Sequence, residues 1–189
     1  MARIVVSDNV SLDGVIEDPV GDEGFSRGGW VGLIKDRPQL AQVTLDEVSR
    51  TDAMLMGRRT YEWFAGRWPS RTGALADRLN SMPKYVVSST LQDPEWNNSR
   101  VVEGDVLDEV SKLRRLYDGD VVITASVQIA HTLVEHDLVD ELRLKVFPVV
   151  LGAGHRLFGE TTGKRARIIR NFKPLHLISA SIPISSTKT

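Results

Sequence analysis

Four short runs of β-branched and other apolar residues recur along the chain: "RIVVS" (3–7), "AMLM" (53–56), "KYVVS" (84–88) and "DVVIT" (120–124). Each is apolar at consecutive positions, the pattern of strands covered on both faces. Between them the spacing becomes helical. Val106, Val110 and Leu113 form a stripe that Asp105 is placed to cap, with Asp108 and Glu109 in the first turn, where the helix dipole favours acids. Leu75 and Leu79 precede the third run, and Val127, Ala130 and Val134 follow the fourth. Strands alternating with helices predict an α/β fold in which these strands run parallel.

The last third reads differently. "ELRLKVF" (141–147) sets Leu142, Leu144 and Val146 against Arg143, Lys145 and Phe147, the alternation of a half-buried strand. "ARIIRNF" (166–172) and "LHLISASIPI" (175–184) follow, parted by Lys173 and Pro174. The expected sheet is therefore mixed, mostly parallel, flanked by helices and closed by antiparallel C-terminal strands. No repeat, low-complexity tract or linker interrupts the pattern, so one domain over 1–189 is expected, with a tail that frays from about 184.

Composition narrows the function classes. A hydrophobic fraction of 41% and a charged fraction of 26% are ordinary for a globular protein. The net charge of −1 argues against a broad nucleic-acid surface, which draws on a basic excess. The absence of cysteine removes disulfides, thiolate nucleophiles and cysteine-bound zinc. "MARIVVSDNV" is too short an apolar run for a signal peptide, and no stretch approaches membrane-spanning length, so a cytoplasmic location without membrane partners is expected. His131, His136, His155 and His176 lack metal-ligand spacing, and no metal is assigned.

The chemistry concentrates where strands end. Parallel strands gather their C-terminal ends on one edge, the edge at which open α/β sheets bind ligands. One strand runs into Gly57-Arg58-Arg59-Thr60, where helix N–H groups and guanidinium forks suit phosphate. Ser88, Ser89 and Thr90 end the next, and Thr124-Ala125-Ser126-Val127-Gln128 opens a helix after the last. Singly, Ser126 reads equally as an N-cap, and Ser88-Ser89 as a turn. Together the three ends point to a phosphate-bearing nucleotide.

These residues, in this order, resemble the dihydrofolate-reductase-like superfamily. Within it they are most similar to stand-alone proteins related to the C-terminal reductase domain of the bifunctional riboflavin-biosynthesis deaminase/reductase. "SLDGVI" (11–16), "GGW" (28–30), "MGRRTYEWF" (56–64), "MPKYVVSST" (82–90) and the stretch from 121 to 158 ending "PVVLGAGHRLF" carry the resemblance. It implies NADPH as hydride donor. By the same resemblance Gly57, Arg58, Arg59 and Thr60 would hold the cofactor phosphates, with Ser88 and Ser89 near the 2′-phosphate. Thr124, Ser126, Val127 and Gln128 would lie along the pyrophosphate, and Val15 and Ile16 near the nicotinamide. Relatives of this type pair as homodimers, and a homodimer is expected here.

Two departures matter. Superfamily members place paired glycines where this chain has Ala125 and Ser126, and alanine disfavours positive φ, so a less strained or looser turn is expected. Folate reductases place a carboxylate where this chain has Ala41; Asp46 and Glu47, among the nearest acids, read as helix-surface charges, which argues against dihydrofolate. Asp13 precedes Gly14 and reads either as a turn or as a group that orders the loop, orients substrate or relays a proton. Trp30 reads as a substrate-stacking ring or a packing anchor, and Gly152 as a turn or a backbone surface against substrate. The expected activity is NADPH-dependent reduction of a pterin-, pyrimidine- or related heterocyclic small molecule. The alternative is a non-catalytic protein that binds NADPH or another nucleotide.

Overall fold

The computed structural model describes residues 1–35, 38–158 and 172–175, and in it seven strands form one sheet. They are β1 (Arg3–Ser11), β2 (Thr51–Gly57), β3 (Lys84–Val87), β4 (Ser99–Val101), β5 (Asp120–Ile123), β6 (Glu141–Phe147) and β7 (Phe172–Leu175). Their order is β4-β3-β2-β5-β1-β6-β7, and every pairing is parallel. Among the described residues five α-helices accompany them: α1 (Pro38–Arg50), α2 (Arg58–Ala65), α3 (Ala74–Ser81), α4 (Val106–Leu116) and α5 (Val127–Glu135).

Both faces of the sheet are covered, which is why its strands are apolar at successive positions. On one side Ile4, Val6, Leu55, Val121 and Ile123 pack with Val110 and Leu113 of α4 and Ile129 and Leu133 of α5. On the other, Met54, Met56 and Val86 pack with Tyr61, Leu79, Met82 and Trp96. The Asp105 carboxylate caps α4 as expected, accepting the Leu107 N–H at 2.6 Å. In α5 the fully covered stripe is Ile129, Ala130 and Leu133, while Val127 and Val134 are only half-buried.

Among the described residues the antiparallel C-terminal strands do not emerge. β7 lies parallel to β6 and contains Lys173 and Pro174, the two residues expected to separate strands. Among the described residues β7 is an edge strand, where a proline's missing N–H removes no ladder bond if it faces outward. The connection from Phe147 to Phe172 is also long enough for the crossover that a parallel neighbour requires. The remainder of both predicted runs, and the tail, lie outside the described residues.

Nor is β6 half-buried. Lys145 is 7% exposed and Phe147 is fully buried. The polar side of the strand is satisfied internally: Lys145 Nζ donates to Ser7 Oγ at 2.8 Å and Glu47 Oε2 at 3.3 Å. Arg143 reaches Asp120 at 2.7 Å and Glu47 at 3.5 Å. Glu47 is thus no surface charge; it is the α1 carboxylate that closes this network over the sheet. Charges buried at such a density persist only when paired and hydrogen-bonded.

Candidate functional site

β2 and β5 are neighbours, yet β2 leads outward to β3 while β5 leads the opposite way to β6. Their connections diverge and leave a crevice at their C-terminal ends, the position where open α/β sheets take ligands. The three turns singled out from sequence end the three adjacent strands β3, β2 and β5.

Side chains tie these turns together. Ser126 Oγ accepts the Gly57 N–H at 3.0 Å and donates to Thr60 Oγ1 at 3.0 Å, joining the start of α2 to the start of α5. Arg58 spans the other gap, with its guanidinium 2.6 Å from Thr90 Oγ1 and 2.7 Å from Glu62 Oε1. Ser88 Oγ folds its own turn by accepting the N–H groups of Thr90 and Leu91. Ser126 therefore does not cap its own helix, and neither α2 nor α5 has a side-chain N-cap bond. Ser89 and Gln128 are exposed, and Thr124 and Val127 half-buried. The Arg59 side chain is 86% exposed, and its ion pair with Glu23 is loose at 3.8 Å.

Gly57 is informative because the fold does not require it. Its φ of −77° suits any residue, and an added Cβ would meet nothing closer than 4.0 Å. The missing side chain keeps open a space beside two helix starts and two arginines. That space, with its donors, fits the phosphates of a dinucleotide.

Ala125 corrects the expectation of a relaxed third turn. Its φ is +50°, in the left-handed region. The other described non-glycine residues with positive φ are Asp18, Asp93, Asn98 and Asp137, types that enter this region readily. Alanine does so at a cost of roughly 1–2 kcal/mol. The turn thus keeps the glycine conformation without the glycine. It is held from below by Asp8 of β1, whose Oδ1 accepts the Ala125 N–H at 2.8 Å, and from the side by Thr60, whose hydroxyl reaches the Ala125 carbonyl at 3.3 Å. Asp8 is buried, and burial raises its pKa to about 7, against the opposing pull of the Ala125 N–H and the Lys145 charge. Sequence reasoning passed over Asp8; the available signal was a carboxylate inside an otherwise covered strand.

The substrate-side candidates fare unevenly. Trp30 is fully buried, donates its ring N–H to the Glu17 carbonyl at 2.9 Å and meets Phe147 edge-on at 5.4 Å. It is a packing anchor, with no face left for a heterocycle. The Asp13 carboxylate accepts from Ser11 Oγ at 2.7 Å, Leu151 N at 3.0 Å and Gly152 N at 2.7 Å, with Arg156 at 3.8 Å. The Leu151 and Ser11 bonds are the main causes holding its pKa down at about 2. Of its expected roles, the bonds to Ser11 and to the loop after β6 support loop ordering. Gly152, at φ +72°, is the turn residue that presents this N–H. Val15 is buried and bridges Arg156 across the same pair of loops, with Ile16 beside it half-buried. Among the described residues, three carboxylates, Asp18, Asp22 and Glu23, could approach one cation, but one Asp18 oxygen already accepts the N–H groups of Gly21, Asp22 and Glu23. No helix among the described residues is long and apolar enough to cross a membrane.

Comparison with known proteins agrees with this architecture. Residues 2–179 match the family described as RibD C-terminal domain. An uncharacterized protein, YyaP of Bacillus subtilis (strain 168), is 29% identical over 161 residues, which is 82% of this chain and 80% of that protein. A crystal structure of a putative riboflavin biosynthesis protein from Shewanella sp. PV-4 superposes with a TM-score of 0.63 at 24% identity, covering 87% of this chain and 86% of the other. A second, the diaminohydroxyphosphoribosylaminopyrimidine deaminase/5-amino-6-(5-phosphoribosylamino)uracil reductase of Thermotoga maritima, gives a TM-score of 0.53 at 14% identity. It matches 83% of this chain, which spans 48% of that longer protein.

Proposed function

The chain belongs to the RibD C-terminal domain family, and from that premise we propose that it is an NADPH-dependent reductase of a pterin-, pyrimidine- or related heterocyclic small molecule. The observation that carries this reading is the joining of three strand-end turns by Ser126, Thr60 and Arg58 around the space left by Gly57. When bound there, NADPH supplies the hydride; what remains for the protein is orientation, exclusion of water and a proton source. Gly57 admits the phosphates, the α2 and α5 amides and Arg58 and Arg59 hold them, and Ser88 and Ser89 border the 2′-phosphate. The Val15–Ile16 segment, pinned through Asp13 to the loop after β6, forms the wall for the nicotinamide.

Charge supports the preference for NADPH, since a guanidinium fork matches a phosphate dianion better than it does a ribose hydroxyl. Replacing Arg58 and Arg59 together by alanine is expected to weaken NADPH on the order of ten- to a hundredfold, the range of a lost charge-assisted hydrogen bond, and NADH far less. Titration of both dinucleotides into wild type and variant measures this; equal losses would make the arginines structural. NADPH consumption across dihydropterins, dihydrofolate and ribosylaminouracil phosphates tests the chemistry. Tight cofactor binding without turnover of any heterocycle would favour the non-catalytic nucleotide-binding protein.

A further inference from the structure

The third turn of the rim poses a problem that no sequence motif solves. Ala125 stands exposed in a left-handed conformation, where an alanine does not stay without a restraint. Its N–H points to Asp8 Oδ1 at 2.8 Å, while Asp8 Oδ2 is buried without a hydrogen-bond partner among the described residues. Asp8 sits within β1, at the level of Leu144 in β6, so it is anchored by the β1–β6 ladder, two residues past the end of the β1–β5 pairing at Val6. From Ala125 the restraint passes outward. Its carbonyl accepts from Thr60, and the next residue, Ser126, holds both Thr60 and the Gly57 N–H. A single buried carboxyl group therefore lies at the root of the contacts that fix the α5 start against the α2 start.

We propose that Asp8 is a positioning residue for the nucleotide rim: by taking the Ala125 N–H it stands in for the missing glycine, locking the third turn in the shape that the cofactor's pyrophosphate needs. The inference rests on the proposed NADPH site for its functional meaning, but the lock itself is a property of the ligand-free protein. It touches neither cofactor nor substrate, so its loss is expected in cofactor affinity and not in the chemical step. Glycine at 125 should make the lock dispensable, because glycine enters this region without a Cβ penalty.

The test combines three substitutions. Asp8→Asn keeps a carbonyl oxygen for the Ala125 N–H and is expected to retain most of the NADPH affinity. Asp8→Ala removes it and is expected to weaken NADPH about tenfold or more, seen as a raised KM with kcat little changed wherever a substrate is in hand. Asp8→Ala combined with Ala125→Gly is expected to recover most of that loss. A folded Asp8→Ala protein that binds as wild type does, or a double variant no better than Asp8→Ala, would overturn the proposal. Amide hydrogen exchange at residue 125 without ligand separates this failure from that of the functional reading. Protection should fall about tenfold in Asp8→Ala and persist in Asp8→Asn, even if the wild type binds no NADPH at all. Unchanged protection would refute the lock by itself.

Discussion

Asp8, within β1, and Asp13, in the loop that follows that strand, carry opposite electrostatics. Asp13 is stabilised as an anion by donors, so its folded pKa lies below the unfolded value near 4. Its contribution to stability is present above that value and lost as the pH falls towards 2. Asp13→Asn should therefore be less stable than wild type in urea at pH 7, with the gap closing by about pH 2–3. Asp8 is the reverse case. Burial raises its pKa to about 7, with Lys145 opposing and Glu47 adding to the rise, so the folded protein keeps a proton that the unfolded chain has released between roughly pH 4 and 7. Stability falls with rising pH across that window. Asp8→Asn is expected to gain on wild type at pH 8 and to match it at pH 4, as thermal melts at the two pH values would show. Neither behaviour is written in residue type: the carboxylates are told apart by the donors of Ser11 and the loop after β6 around Asp13 and by the packing that buries Asp8.

At the scale of elements, what was legible in the chain was what depends on neighbours in sequence. Strands β1, β2, β3 and β5, the capped helix α4 and the glycine-to-helix step at 57–58 all follow from period, cap and turn chemistry. Removing the cap with Asp105→Ala should cost about 1 kcal/mol in urea unfolding, the ordinary worth of such a cap. The failures came where a distant element decides. β6 alternates like a half-exposed strand because its Arg143 and Lys145 are polar, but α1 brings Glu47 across to cover them. Trp30 looks like a free ring in a loop until Phe147 and the Glu17 carbonyl occupy it. Trp30→Ala is expected to destabilise by about 3–5 kcal/mol, as loss of a large core aromatic does, while leaving the NADPH-to-NADH affinity ratio unchanged. A changed ratio would return the ring to the ligand site.

For the molecule as a whole, the decisive fact is strand order. Inserting β5 between β1 and β2 puts three remote turns side by side, something no local pattern specifies. The candidate rim was legible as a set of ligand-suited residues, and its assembly was not; the wires between the turns, Ser126 to Gly57 and Arg58 to Thr90, join residues far apart in the chain. The segment before Trp30 adds one more long-range tie. Asp22 accepts the Trp63 ring N–H at 3.0 Å and pairs with Arg67, strapping the loop across α2 and leaving Glu23 facing Arg59. Glu23 stands 3.8 Å from the Arg59 guanidinium, so an incoming phosphate competes there with a carboxylate already facing the same charge. Pairing there trades one anion for another, so added salt is expected to loosen a dinucleotide less steeply than two bare guanidinium groups would imply.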